Sequence, residues 1–169
     1  MASLEAMVSV VQPWAHFYND SSAAQTGILF LHFGALLIAG GFAVAADRWV
    51  LRAGQLDDSA RSVLLDQLGT LHKPVVIGLV LLIITGSAMA LADAETMLGS
   101  PVFWLKMGCF TLLLLNGFAL LRAESRLRVQ SVQAPGFGND WRKLQWAARR
   151  SFSLWLVTLL LGTLLSSAA

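Results

Sequence analysis

The chain has 169 residues, 56% of them apolar and 13% charged, with a formal net charge of +2. Soluble domains carry about a quarter charged residues, and a chain this short cannot hide so much apolar surface in one water-soluble core. An ordinary soluble domain is excluded, and a lipid bilayer is the remaining solvent. The placement of the small basic excess makes it a topology signal, so no nucleic-acid partner is expected. Cys109 is the single cysteine, which excludes an intrachain disulfide and a cysteine-rich metal framework.

The first residues, Met1 to Glu5, have no basic stretch ahead of an apolar one, and no cleavable signal peptide is expected. Leu4, Met7, Val8 and Val11 follow helical spacing, with Trp14, Phe17 and Tyr18 after them. This pattern predicts an interfacial helix with aromatic anchors.

Four nearly uncharged runs follow, at residues 26–46, 74–92, 102–121 and 151–168. Each is close to the roughly 20 residues that cross about 30 Å of hydrocarbon at about 1.5 Å per residue. None alternates like a barrel strand, and backbone in hydrocarbon must satisfy its own hydrogen bonds, so all four are expected to be helices. The predicted fold is all-α: one membrane domain over residues 1–169, an up-and-down four-helix bundle with an interfacial N-terminal helix and amphipathic connections.

The connection at 47–73 contains Arg48, Arg52, Arg61 and Lys73. The connection at 122–150 contains Arg122, Arg126, Arg128, Arg142, Lys143, Arg149 and Arg150. The N-terminal segment and the turn at 93–101 have no basic residue. Positive residues stay on the cytoplasmic side, so both long connections are expected inside and both termini outside.

Within the first connection, Asp57 or Asp58 can cap a helix with Leu64, Leu68 and Leu71 on one face. That helix is expected to lie along the inner surface and turn into the second span at Pro74. In the second connection, residues 134–138 read as a turn, and Asn139 or Asp140 can cap a helix that begins near Trp141 and continues into the fourth span.

His32 is the histidine well inside a span, and an ionisable residue there is a functional candidate. It either hydrogen-bonds a neighbouring helix or serves as a ligand or proton carrier, since neutral imidazole suits haem iron, copper and zinc. His72 is expected about 20 Å away along the membrane normal on the helical rise, too far to share a metal, and reads as an interfacial residue. His16 is the better partner. His32 lies about 9 Å below the outer boundary by the same rise, and a folded-back N-terminal segment can bring His16 and Asp20 to it.

Lys106 breaks the inside bias of the basic residues. It either snorkels outward or pairs with Asp93 or Glu95, or it presents a cation to a quinone oxygen or haem propionate. Ala35, Ala39 and Ala43, with Gly34, Gly40 and Gly41, form a small-residue stripe suited to close helix packing. Thr85, Gly86 and Ser87 make a comparable patch, and Asn116 can hydrogen-bond across the helices. Cys109, Met89 and Met107 read as core residues, although soft sulfur can also bind Cu(I). The four runs lack the several buried acids expected of an ion-coupled pump. No phosphate loop, His-Glu-x-x-His, nucleophile elbow or Cys-x-x-Cys occurs, which argues against hydrolysis and phosphoryl transfer.

Leu31-His32-Phe33-Gly34-Ala35 with Gly40-Gly41 resembles the opening of the four-helix unit of the bacterial copper-resistance D family. Phe103-Trp104-Leu105-Lys106-Met107, running on to Leu115-Asn116-Gly117, is similar to the lysine-bearing third span of that unit. The resemblance implies a bacterial inner-membrane protein that binds haem b or handles copper through His32 and Lys106, and the placement of the basic residues then makes both termini periplasmic. The chain departs from the pattern in lacking paired histidines at matched depths and methionine-rich outer segments. The leading expectation is a haem or copper module near the outer face, with His32, His16 and Asp20 as metal ligands and His32, Lys106 and His16 as cofactor contacts. The alternative is a cofactor-free accessory subunit among other membrane subunits, and a third reading is a quinone enzyme or carrier.

Overall fold

The computed structural model describes residues 2–55, 57–129 and 137–168. They form six α-helices and one short 3-10 turn, with no strand among the described residues. Helix α1 spans Ala2–Asp20 and α2 spans Ser22–Arg52, followed by the 3-10 turn Ala53–Gln55. Helix α3 spans Asp58–Ala92, α4 Ala94–Gly99, α5 Pro101–Val129 and α6 Phe137–Ala168.

The boundaries have local causes. Ser21 accepts a hydrogen bond from the Ala24 amide at 3.2 Å and caps α2. Asp57 does the same for α3, accepting from Ala60 at 2.8 Å. Pro101 opens α5, where its missing N–H has no partner to lose.

Helices α2, α3, α5 and α6 are long and apolar enough to cross a membrane. The shortest, α5, has 29 residues and is about 43 Å long at about 1.5 Å per residue, well beyond the hydrocarbon thickness. The excess is where the structure departs from expectation. Residues 58–73 do not form a separate surface helix that turns at Pro74; they continue into the second span as one 35-residue helix with Pro74 inside it. Of the expected turn at 134–138, residues 134–136 lie outside the described residues, while Phe137 and Gly138 already belong to α6.

Tertiary burial is the physical reason for these extensions. Leu64, Leu65 and Leu68 of α3 pack with Val50 of α2, Leu127 of α5, and Trp141 and Leu144 of α6 in one buried cluster. Burying these side chains outweighs the hydrogen bond that proline removes. A second cluster of Ala35, Ala39, Leu82, Leu113 and Trp155 fills the middle of the spans.

Helix α2 packs most extensively on α3, α5 on α6, and α2 also on α6, while α3 and α5 touch less. Contacts such as His32 with Thr85 and Ala39 with Gly78 make α2 and α3 antiparallel, and Asn116 with Ala147 together with Lys106 beside Gly162 does so for α5 and α6. Hydrocarbon provides no hydrophobic drive between helices, so close approach has to come from small residues. A Cβ added to Gly78 would lie 2.7 Å from Ala39 Cβ and 3.0 Å from the Ala35 carbonyl oxygen. The alanine stripe thus sits directly against α3. Large side chains face outward instead: Leu37 is 76% exposed and Phe30 74%, against 0% for Ala39.

Candidate functional site

His32 of α2 places Nδ1 2.8 Å from Oγ1 of Thr85 on α3. Thr85 is buried, and its hydroxyl donates to the Leu81 carbonyl one turn earlier at 2.6 Å. With the hydroxyl proton on the Leu81 carbonyl, Oγ1 accepts from an imidazole protonated at Nδ1, and in that tautomer Nε2 keeps its lone pair and has no partner among the described residues. A histidine whose Nδ1–H is held by a hydrogen bond is oriented as a metal-ligating imidazole is. Gly86 keeps room beside the ring, since a Cβ there would meet His32 Cε1 at 3.4 Å.

Lys106 of α5 completes the cluster. It is half-buried, and Nζ lies over Gly162 of α6, where an added Cβ would come within 3.6 Å. The expected pairing with Asp93 or Glu95 does not form: no carboxylate among the described residues lies within ion-pairing distance of Lys106.

The N-terminal helix does fold back, but not in the way that joins His16 to His32. Trp14 Nε1 donates to the Ala88 carbonyl at 2.8 Å, and Asn19 Nδ2 reaches the Ala92 carbonyl at 3.5 Å. This lays α1 against the end of α3, within a turn of Thr85. His16 and Asp20 both face outward and are exposed, and no described contact joins either to His32. Among the described residues, no three His, Cys, Asp or Glu side chains gather to hold a metal ion.

At the opposite end of the helices lies a polar group for which the sequence pattern carries no signal. Glu124 of α5 is only 2% exposed. Its Oε1 accepts from Arg128 one turn later, and the same guanidinium donates to the Leu65 carbonyl of α3. His72, expected at the interface, is 27% exposed and brings Nε2 3.0 Å from Glu124 Oε2. The approach is off the hydrogen-bonding direction, so Oε2 has proximity to the imidazole and no donor. Asp47, expected just past the end of the first span, is 2% exposed and bonds Ser151 of α6, with Oδ2 unpaired. The apparent shortage of buried acids comes from ending the spans where the apolar runs end.

His32 and His72 are far apart, as expected: His32 meets Thr85 of α3, and the thirteen residues from His72 to Thr85 along that helix correspond to about 20 Å of rise. Asn116 bonds across the helices as predicted, Nδ2 to the Ala147 carbonyl at 2.9 Å. Thr85 stood out in advance only as part of the weakly polar patch Thr85-Gly86-Ser87. Glu124 did not, since only packing carries α5 beyond the apolar run.

Outside the spans, Asp57 has its carboxyl held below the ordinary range, first by the Ala60 amide and then by the Ser59 hydroxyl. No family model, curated protein or solved structure matches this chain.

Proposed function

We propose that the chain is a multi-pass membrane binding module, built as an up-and-down four-helix bundle with α1 along the interface and both termini on the outer, periplasmic side of a bacterial inner membrane. Its site is built around His32, Thr85 and Lys106, and its ligand is haem b, whose iron His32 Nε2 would bind and one of whose carboxylates Lys106 would pair with. The observation that carries this reading is the Thr85 hydroxyl turned to the Leu81 carbonyl, which favours the tautomer with Nε2 as an unprotonated donor.

The neighbouring charge decides between cofactors. A lysine within the spans that has no carboxylate partner among the described residues favours a ligand with its own anionic groups over a bare copper ion. Copper also calls for further donors, and no such group gathers among the described residues. Haem can be held through a single histidine. This agrees with what the resemblance to the copper-resistance D unit implies for His32 and Lys106. When bound, haem would supply one-electron chemistry; the chain's own residues orient the imidazole and provide the cation. Lys106 equally suits a lipid-soluble quinone, with the His32 Nε2 accepting a proton from the reduced form, and this is the second reading.

The test is an absorption spectrum with metal analysis of protein purified from its native membrane in mild detergent. A Soret band that His32→Ala abolishes, and that Thr85→Val shifts or weakens while Thr85→Ser restores it, is the expected result. A colourless, iron-free protein that binds a quinone in a Lys106-dependent manner would replace haem with quinone. A folded protein that binds neither would overturn both and leave the cofactor-free accessory subunit.

A further inference from the structure

The outer face of the α5–α6 pair carries a groove that the His32 cluster does not use. It is an open groove of about 620 Å³ with no acidic residue in its lining. Arg149, Arg150 and Trp146 of α6 stand at one end. Leu112 of α5 and Leu154 of α6 continue it toward the middle of the spans. Asn116 bonds Ala147, which puts Leu115 level with the arginines, and Leu112 and Leu154 farther into the apolar runs. The groove is therefore cationic at the membrane boundary and apolar within the hydrocarbon.

The two arginines are available. Arg149 lies over the Trp146 ring, 5.4 Å from its centroid, which fixes the guanidinium plane without neutralising it. Neither Arg149 nor Arg150 pairs with a carboxylate among the described residues. Adjacent guanidinium groups beside a tryptophan at this level present several N–H donors to a phosphodiester, which matches guanidinium geometry. A soluble anion would use the arginines and leave the leucine-lined part empty, whereas a phospholipid fills both.

We propose that this groove binds one anionic phospholipid, its phosphate held by Arg149 and Arg150 and an acyl chain lying along Leu112 and Leu154. The site is separate from the His32 cluster and stands whichever leaflet it faces.

Native mass spectrometry of the full chain released from detergent, with phosphatidylglycerol or phosphatidylcholine of identical acyl chains, tests it. Preferential retention of phosphatidylglycerol is expected. Arg149→Gln with Arg150→Gln should reduce that preference about 30-fold, since each arginine contributes roughly fivefold near a charged lipid surface. Ala119→Trp lies in the same groove at an exposed position, and it should block the adduct with both arginines intact. It keeps the test decisive if the double variant fails to fold. Equal retention of the two lipids, or unchanged preference in either variant, would overturn the proposal. Displacement of the adduct by millimolar inorganic phosphate would overturn it too, in favour of a simple anion site.

Discussion

Glu124 of α5 and His72 of α3 meet 3.0 Å apart at one end of the helices, the carboxylate almost wholly buried and the imidazole about a quarter exposed. Arg128 joins them by bonding both Glu124 and the Leu65 carbonyl, so a single acid ties α5 to α3 where these helices otherwise touch little. Removing the acid leaves a guanidinium with its main partner gone. Because Arg128 remains 34% exposed, the cost is well below that of a fully buried charge. Glu124→Ala is expected to destabilise the protein by about 1–3 kcal/mol, and Glu124→Gln by less, measured by thermal denaturation in detergent. Unchanged stability in Glu124→Ala would show that the group does not hold the helices together.

The α2–α3 seam is tested at two glycines. Gly78 has no room for a methyl group, with Ala39 Cβ and the Ala35 carbonyl oxygen both within 3.0 Å of where it would lie. Gly41 has nothing within 4 Å. Gly78→Ala should cost about 1–3 kcal/mol through overpacking, and larger residues should cost more. Gly41→Ala should be neutral or slightly stabilising in the same denaturation assay. Equal tolerance at the two positions would contradict the close approach.

Asn116 supplies the hydrogen bond that ties α5 to α6, and its side chain is buried. Asn116→Leu should lower stability by about 0.6–2 kcal/mol, the range for polar contacts between membrane helices. The cross-helix bond is the source of the effect, so Asn116→Gln should recover little, its amide being one methylene too long for the Ala147 carbonyl. A Leu variant as stable as the parent would mean that the bond makes no net contribution.

Asp57 gives a pH dependence with a defined sign. Its carboxyl is held below the ordinary value of 3.8, chiefly by the Ala60 amide, so the cap stabilises α3 fully above that value. The contribution is lost as pH falls through the lower folded-state value. Asp57→Asn keeps a capping oxygen and should remove this acid-dependent step, whereas Asp57→Ala should lose the cap at every pH. Circular dichroism of the purified protein between neutral pH and pH 2 reads both outcomes. Identical acid profiles for the parent protein and the Asp57→Asn variant would argue against the cap.

Much of the fold could be read in advance because the bilayer leaves few choices. An apolar run of about 20 residues in hydrocarbon has to be a helix, and four such runs are visible without any tertiary information. The Ala35–Ala39 stripe and Asn116 were legible for a related reason: small or polar residues at depth can only serve packing or cross-helix bonds. His32 and Lys106 were visible as ionisable residues within spans.

What surrounds those residues was decided by tertiary structure alone. Apolarity marks where hydrocarbon begins but not where packing ends, and α3, α5 and α6 run past their apolar limits because Leu64, Leu68, Leu127 and Leu144 bury one another there. That extension is what places Asp47 and Glu124 inside rather than at the surface. The helix phase of α3 chose Thr85, not His16, as the partner of His32, and set Nδ1 as the ring nitrogen that faces it. Sequence spacing sets depth along each helix, while only the rotation of one helix against another determines which side chains at that depth meet.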